Sequence, residues 1–161
     1  MKKIIKNIIE DQDDNNIALT SESSKPLLYK DLKSLVSKIA SQLAGNGISN
    51  KDRAAIVLPN GPFMASSFLS ISSYMSAAPL NPSYKTDEYE FYLKDLNPKI
   101  VIVEPNSNNK VVQVAKNLNI PVCEMKIKKD DPSGLFNLFD IESKYQLPEE
   151  NDEGLVLHTS G

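Results

Sequence analysis

From about residue 31 the chain alternates apolar stripes at helical spacing with short uninterrupted apolar runs, the pattern of a parallel sheet covered by helices. Leu32, Leu35, Val36, Ile39 and Leu43 lie on one helical face, and Gly45 and Gly47 stand where that helix would stop. Ala54-Ala55-Ile56-Val57-Leu58 is apolar throughout and bounded by Arg53 and Pro59-Asn60-Gly61-Pro62, so it predicts a strand buried on both faces at the centre of the sheet. Residues 63–76 predict a largely buried helix, with Met64, Phe68, Ile71 and Met75 on one face and small residues, mostly serines, elsewhere. Ala77-Ala78-Pro79-Leu80 reads as a short strand whose proline places it at an edge or a strand end, and Asn81-Pro82-Ser83-Tyr84 turns the chain.

The next helix has Thr86 as its expected N-cap, Asp87 and Glu88 at the positive end of its dipole, and Tyr89, Tyr92, Leu93 and Leu96 as its stripe; Asn97-Pro98 ends it. Ile100–Val103 predicts a strand, Val111, Val114, Ala115 and Leu118 a helix, and Pro121–Met125 the start of another strand. Between Lys126 and Asp152 charged and turn residues surround small apolar islands, which predicts an irregular excursion that docks lightly. Gly154–His158 resumes as a strand and runs straight into Thr159-Ser160-Gly161, a loop begun and not built, so truncation is expected. At the other end Ile4, Ile5, Ile8 and Ile9 form a two-turn stripe opposite Lys2, Lys3 and Lys6, expected to dock on its own domain rather than on a membrane because acidic residues follow at once.

Composition narrows the function classes. Eighteen Lys and Arg against 21 Asp and Glu leave a net charge of −3, which offers no basic field for a nucleic-acid backbone. Arg53 is the only arginine, and the cluster Lys126, Lys128 and Lys129 is followed by Asp130 and Asp131. One cysteine, Cys123, excludes an internal disulfide and fits a reducing cytoplasm; with a single histidine it cannot furnish a zinc cluster. No apolar run approaches the ~20 residues that span a bilayer, and Lys6, Asn7 and the acidic residues after Ile9 break the likeness to a signal peptide.

Phosphate-binding glycine loops of the two common kinds are missing: no Gly-x-x-x-x-Gly-Lys-Ser/Thr occurs, and Gly45-Asn46-Gly47 has Asn50 in place of a third glycine and follows a helix. His158 stands near a strand end, but Ser160 beside it lacks a nucleophile elbow, so a hydrolase is not indicated. Thr159-Ser160-Gly161 supplies two hydroxyls and a glycine after a strand, ingredients both of an ordinary turn and of a loop whose N–H and O–H groups wrap phosphate oxygens.

Four stretches in order carry a resemblance: Pro26–Leu32, Asp52–Asn60, Ala77–Tyr84 with the helix after it, and Leu157–Gly161. Together they resemble the start of the adenylate-forming superfamily, the acyl-CoA synthetases and their relatives. His158 before Thr159, and Ala77-Ala78-Pro79-Leu80-Asn81 ahead of Phe91-Tyr92-Leu93, are most similar to the oxalate-CoA ligase branch. The resemblance implies an α/β fold, the incomplete first portion of a large N-terminal AMP-binding domain over residues 1–161, cut inside the ATP loop and without the C-terminal domain. It implies a two-step ligase in which a carboxylate attacks the α-phosphate of ATP and the thiol of coenzyme A then displaces AMP, with Mg2+ neutralising the phosphates. Thr159, Ser160 and Gly161 would open the ATP phosphate loop, with His158 a further candidate beside it, while the catalytic residues and the metal ligand lie beyond Gly161. The remainder of the domain would be required, and the 161 residues alone are expected to be inactive. Competing readings are a free-standing flavodoxin-like binding or regulatory module, and a degenerate product that acts by association with a complete ligase.

Overall fold

The computed structural model describes residues 4–22 and 24–158. Helix α1 (Ile5–Glu10) leads into a hairpin of β1 (Ile17–Ser21) and β2 (Ser24–Leu28), followed by α2 (Tyr29–Gly45), β3 (Arg53–Val57), α3 (Pro62–Ser72), β4 (Ser76–Pro79), α4 (Thr86–Leu96), β5 (Ile100–Val103), α5 (Lys110–Asn117) and β6 (Val122–Glu124). The main sheet is parallel throughout, in the order β4-β3-β5-β6, so β3 is central as its apolar run requires. Side chains alternate across it. Ala54, Ile56, Ile100 and Ile102 point to α2, α3 and the hairpin, whereas Ala55, Val57, Val101 and Val103 point to α4 and α5. Burial on both faces is why these strands are apolar at every position.

Several expectations are corrected. The β1–β2 hairpin precedes the residue-31 start of the sequence pattern and was not anticipated, and its Leu27 is fully buried. Thr86 is the first helical residue rather than the cap: the Lys85 N–H donates to Glu88 at 2.7 Å, so the glutamate satisfies the helix start. Met75 lies outside α3, and the buried side of that helix is serine-rich. Ser67, Ser72 and Ser73 return their hydroxyls to carbonyls four residues back, at 2.5 to 2.6 Å, which lets a polar face sit in the core. Of the N-terminal stripe, Ile9 is buried and Ile5 packs on the core, while Ile8 is exposed.

The excursion after β6 does not dock lightly. Phe136 and Leu138 are both 1% exposed, Ser133 lies within hydrogen-bond distance of Ser21 and Ser24 (2.9 and 2.8 Å), and Gln42 of α2 accepts from the Leu138 N–H at 2.9 Å. The islands between charged residues are anchors, spaced irregularly because the segment forms no ladder beyond one bridge between Lys126 and Asn137.

The strand expected over Gly154–His158 is reduced to one parallel bridge beside β4. Ala77 donates to Gly154 O at 3.0 Å and accepts from Val156 N at 2.9 Å. Alternate residues of a strand face the same neighbour, so Pro79 would make the next bond, and it has no N–H to give. The chain therefore leaves the sheet after Val156. Among the described residues no helix is long and apolar enough to cross a membrane.

Candidate functional site

Helix α3 follows β3 onto one face of the sheet, and α4 follows β4 onto the other. Where two neighbouring strands send their connections to opposite faces, a crevice opens at their carboxyl ends. Here it is a cavity of about 730 Å³ between the Leu58–Gly61 turn, the Met64 and Phe68 side of α3, and Pro79–Ser83. Its walls are apolar or neutral, with Asn60, Asn81 and Ser83 as the polar groups.

The Asn81–Tyr84 turn is held from four sides. Asn81 Oδ1 accepts from Ser83 N at 2.9 Å, and the Asn81 carbonyl accepts from Tyr84 N at 3.2 Å and from the Tyr89 hydroxyl at 2.9 Å. Asn109 Nδ2 donates to the Pro82 carbonyl at 2.8 Å. Burial first, with lesser electrostatic help from Tyr84 and Glu88, pushes the Tyr89 phenol above its ordinary range, so it stays a neutral donor. Tyr84 stacks on Tyr92 at 4.9 Å and meets Tyr89 edge-on at 5.8 Å.

His158 does not line this crevice. Its Nε2 lies 3.0 Å from Asp95 Oδ2, its ring centroid is 4.5 Å from that of Tyr92, and its buried Nδ1 has no partner among the described residues. The absence of an acidic neighbour in sequence is thus made good by a residue 63 positions earlier. Thr159, Ser160 and Gly161 lie outside the described residues.

At the opposite end of the strands a polar recess is closed by ion pairs. Arg53 grips Glu153 through two bonds of 2.7 and 2.9 Å and donates to the Leu96 carbonyl, Ser76 donates to Glu153 at 2.6 Å, and Lys51 pairs with Asp152. These contacts fix the 149–154 segment from which the last bridge departs. Hydrogen bonds from Arg53, then Ser76, hold the Glu153 carboxyl below its ordinary value of 4.5. Its stabilisation is therefore present above pH 4.5 and lost as pH falls through the lower folded value. Both side chains are about two-fifths exposed, so the pair contributes under about 1 kcal/mol. Glu153→Gln is expected to flatten the acid limb of a urea-stability profile below pH 4.5; an unchanged limb would assign it to other carboxylates.

The family model for "AMP-binding enzyme" matches residues 9–161. The chain belongs to the AMP-binding enzyme family. Among curated AMP-binding relatives, an oxalate–CoA ligase from Arabidopsis thaliana is 30% identical over 151 residues, which cover 89% of this chain and 29% of that protein. The chain thus spans less than a third of the length of that relative. The fold agrees. Apo MatB from Rhodopseudomonas palustris superposes with a TM-score of 0.78 at 20% identity, over 100% of this chain and 33% of MatB. MenE from Bacillus subtilis, solved in complex with ATP and a magnesium ion, gives 0.64 at 20% identity over 74% of this chain and 32% of that one. The parallel sheet flanked by helices is that of adenylate-forming enzymes, as the resemblance implied.

Proposed function

We propose that this chain is the first part of the AMP-binding domain of an acid–CoA ligase, with oxalate the preferred acid and a fatty or other short acid the second choice. The observation that carries this reading is the match to the family over residues 9–161, running through the segment that bridges to β4 and on to Thr159-Ser160-Gly161. The oxalate preference is supported by the 30% identical relative and by His158 ahead of the loop.

In the proposed reaction a carboxylate oxygen attacks the α-phosphorus of ATP and pyrophosphate leaves, giving an acyl-adenylate. The thiol of coenzyme A then attacks the acyl carbon and AMP leaves. Thr159, Ser160 and the Gly161 amide are assigned to the β and γ phosphates, where donors oriented in advance lower the cost of gathering charge on the leaving group. Magnesium, when bound, neutralises phosphate charge. Among the described residues no set of three His, Cys, Asp or Glu side chains gathers to hold it, and its ligands are assigned to the rest of the enzyme. The catalytic groups are assigned to the rest of the enzyme, which is why the 161 residues alone are taken to be inactive. We place the reaction in the cytoplasm, where the buried Cys123 thiol, its pKa pushed up to about 11 by burial, is kept reduced.

The test has two arms. The purified 161-residue chain, given ATP, Mg2+, CoA and oxalate, is expected to release no pyrophosphate above background; release would overturn its assigned dependence on the rest of the enzyme. The complete enzyme, given a panel of acids, is expected to show its highest kcat/KM with oxalate, and a higher value with another acid would move the substrate assignment to that acid.

A further inference from the structure

The four residues before Thr159 are held by very little backbone. One bridge at Leu155 ties them to β4, Pro79 forbids the next bond, and Leu155 and Leu157 are 42% and 62% exposed. Apart from Val156, which packs on the α4–α5 side of the core, a segment seated this way has few contacts to resist local opening. The side chain of His158 supplies what the ladder lacks. Its ring lies against Tyr92 at 4.5 Å, and its Nε2–H donates to Asp95 at 3.0 Å, both within the last five residues of α4. Only 14% of the His158 side chain is exposed, although it follows a largely exposed leucine.

The contact does not stop at Tyr92. That ring stacks on Tyr84 at 4.9 Å, Tyr84 meets Tyr89 edge-on, and the Tyr89 hydroxyl holds the Asn81 carbonyl in the wall of the crevice. The chain just before Thr159 is therefore joined by a continuous series of rings to the turn that forms one wall of the cavity.

We propose that His158 is a positioning residue: clamped by Tyr92 and Asp95, its ring latches the end of the sheet-leaving segment, fixing the point from which the chain enters Thr159-Ser160-Gly161 and tying it to the Asn81–Tyr84 turn. The functional half of this rests on the assignment of those three residues to ATP. His158 acts through the loop and touches no reacting atom.

His158 is the sole histidine, so its two imidazole C–H resonances in the 161-residue chain are unambiguous. Stacking on Tyr92 is expected to move them upfield of solvent-exposed imidazole. His158→Ala, Asp95→Ala and Tyr92→Leu are each expected to speed amide exchange at Val156 by roughly three- to tenfold, the scale of a partly exposed pair or ring contact. The melting transition should stay in place, and Tyr92→Phe, which keeps the ring, should restore wild-type exchange. Imidazole signals at solvent positions, unchanged Val156 exchange, or acceleration spread over the whole sheet with a lowered melting point would each overturn the latch. In the complete enzyme His158→Ala is expected to raise the KM for ATP about fivefold with kcat retained; a fallen kcat at constant KM would overturn the positioning role. The exchange readouts use neither ATP nor an acid. An enzyme inactive with every acid would remove the ligase reading and leave the latch, whereas a loose His158 would remove the latch and leave the ligase reading.

Discussion

Gly134→Ala is expected to destabilise the fold by about 2–5 kcal/mol, from a left-handed backbone costing about 1–2 and crowding costing about 1–3. Gly134 has φ +76°, a conformation that side chains resist, and a Cβ there would meet the Pro62 carbonyl oxygen at 2.7 Å and Ser66 Oγ at 3.0 Å. Neither neighbour gives easily: Pro62 begins α3, and the Ser66 hydroxyl donates to the Gly134 carbonyl at 2.7 Å. Gly134 follows Ser133, which joins the hydroxyls of the hairpin, so the site fastens the excursion to two elements at once. Gly47 is the matched control. Its φ of +74° imposes the same backbone cost, but a Cβ would meet nothing within 4 Å, so Gly47→Ala should cost only about 1–2 kcal/mol. Urea denaturation of both variants decides it. Equal losses would mean that α3 yields and that the excursion is not tightly fastened there.

The second large effect is expected at Gln42. This side chain is 2% exposed, and its Oε1 accepts from the backbone N–H of Leu138 at 2.9 Å and of Phe139 at 3.3 Å, while Nε2 donates to Asn137 Oδ1 at 3.2 Å. Gln42→Leu fits the space but leaves two N–H groups facing apolar surroundings, each costing about 1–3 kcal/mol, so a loss of about 2–6 kcal/mol is expected. Amide exchange at Leu138 and Phe139 should accelerate more than at β3. Stability within 0.5 kcal/mol of wild type, about the scale of a neutral surface substitution, would show that the excursion does not depend on this side chain.

How far the sequence disclosed these features depends on what each element buries. Strands β3 and β5 were legible because a sheet covered on both faces leaves no polar position to confuse the pattern. The β1–β2 hairpin was not, since Leu27 is its only fully buried residue and Pro26 reads against a strand. Helix α3 was legible as a largely buried helix, because its serines are small enough to pack closely; that Ser67 returns its hydroxyl to a carbonyl of its own helix has no separate mark in the sequence. Gln42 carried a usable signal. It sits three residues after Ile39 and seven after Leu35, on the apolar face of α2, and a polar side chain there must have a buried partner.

The crevice was legible in part. The Pro59–Pro62 and Asn81–Tyr84 turns stand out in the sequence, but that they wall one cavity follows from β3 and β4 being neighbours, which no local pattern states. The partnership of His158 with Asp95 is beyond sequence reading for the same reason. The strand expected over Gly154–His158 shrinks to one bridge because its length is set by Pro79 on the strand beside it, not by its own residues.

In the proposed ligase the residues entered from His158 open the ATP phosphate loop, so adenylation depends on them. Carboxylate-dependent exchange of labelled pyrophosphate into ATP measures adenylation directly, before any thioester forms. In the complete enzyme, exchange is expected to require the acid and to fall by roughly 10²–10³ when Thr159 and Ser160 are both replaced by alanine, the scale of lost oriented donors. Exchange that is absent with every carboxylate, or that survives the double replacement unchanged, would contradict the account.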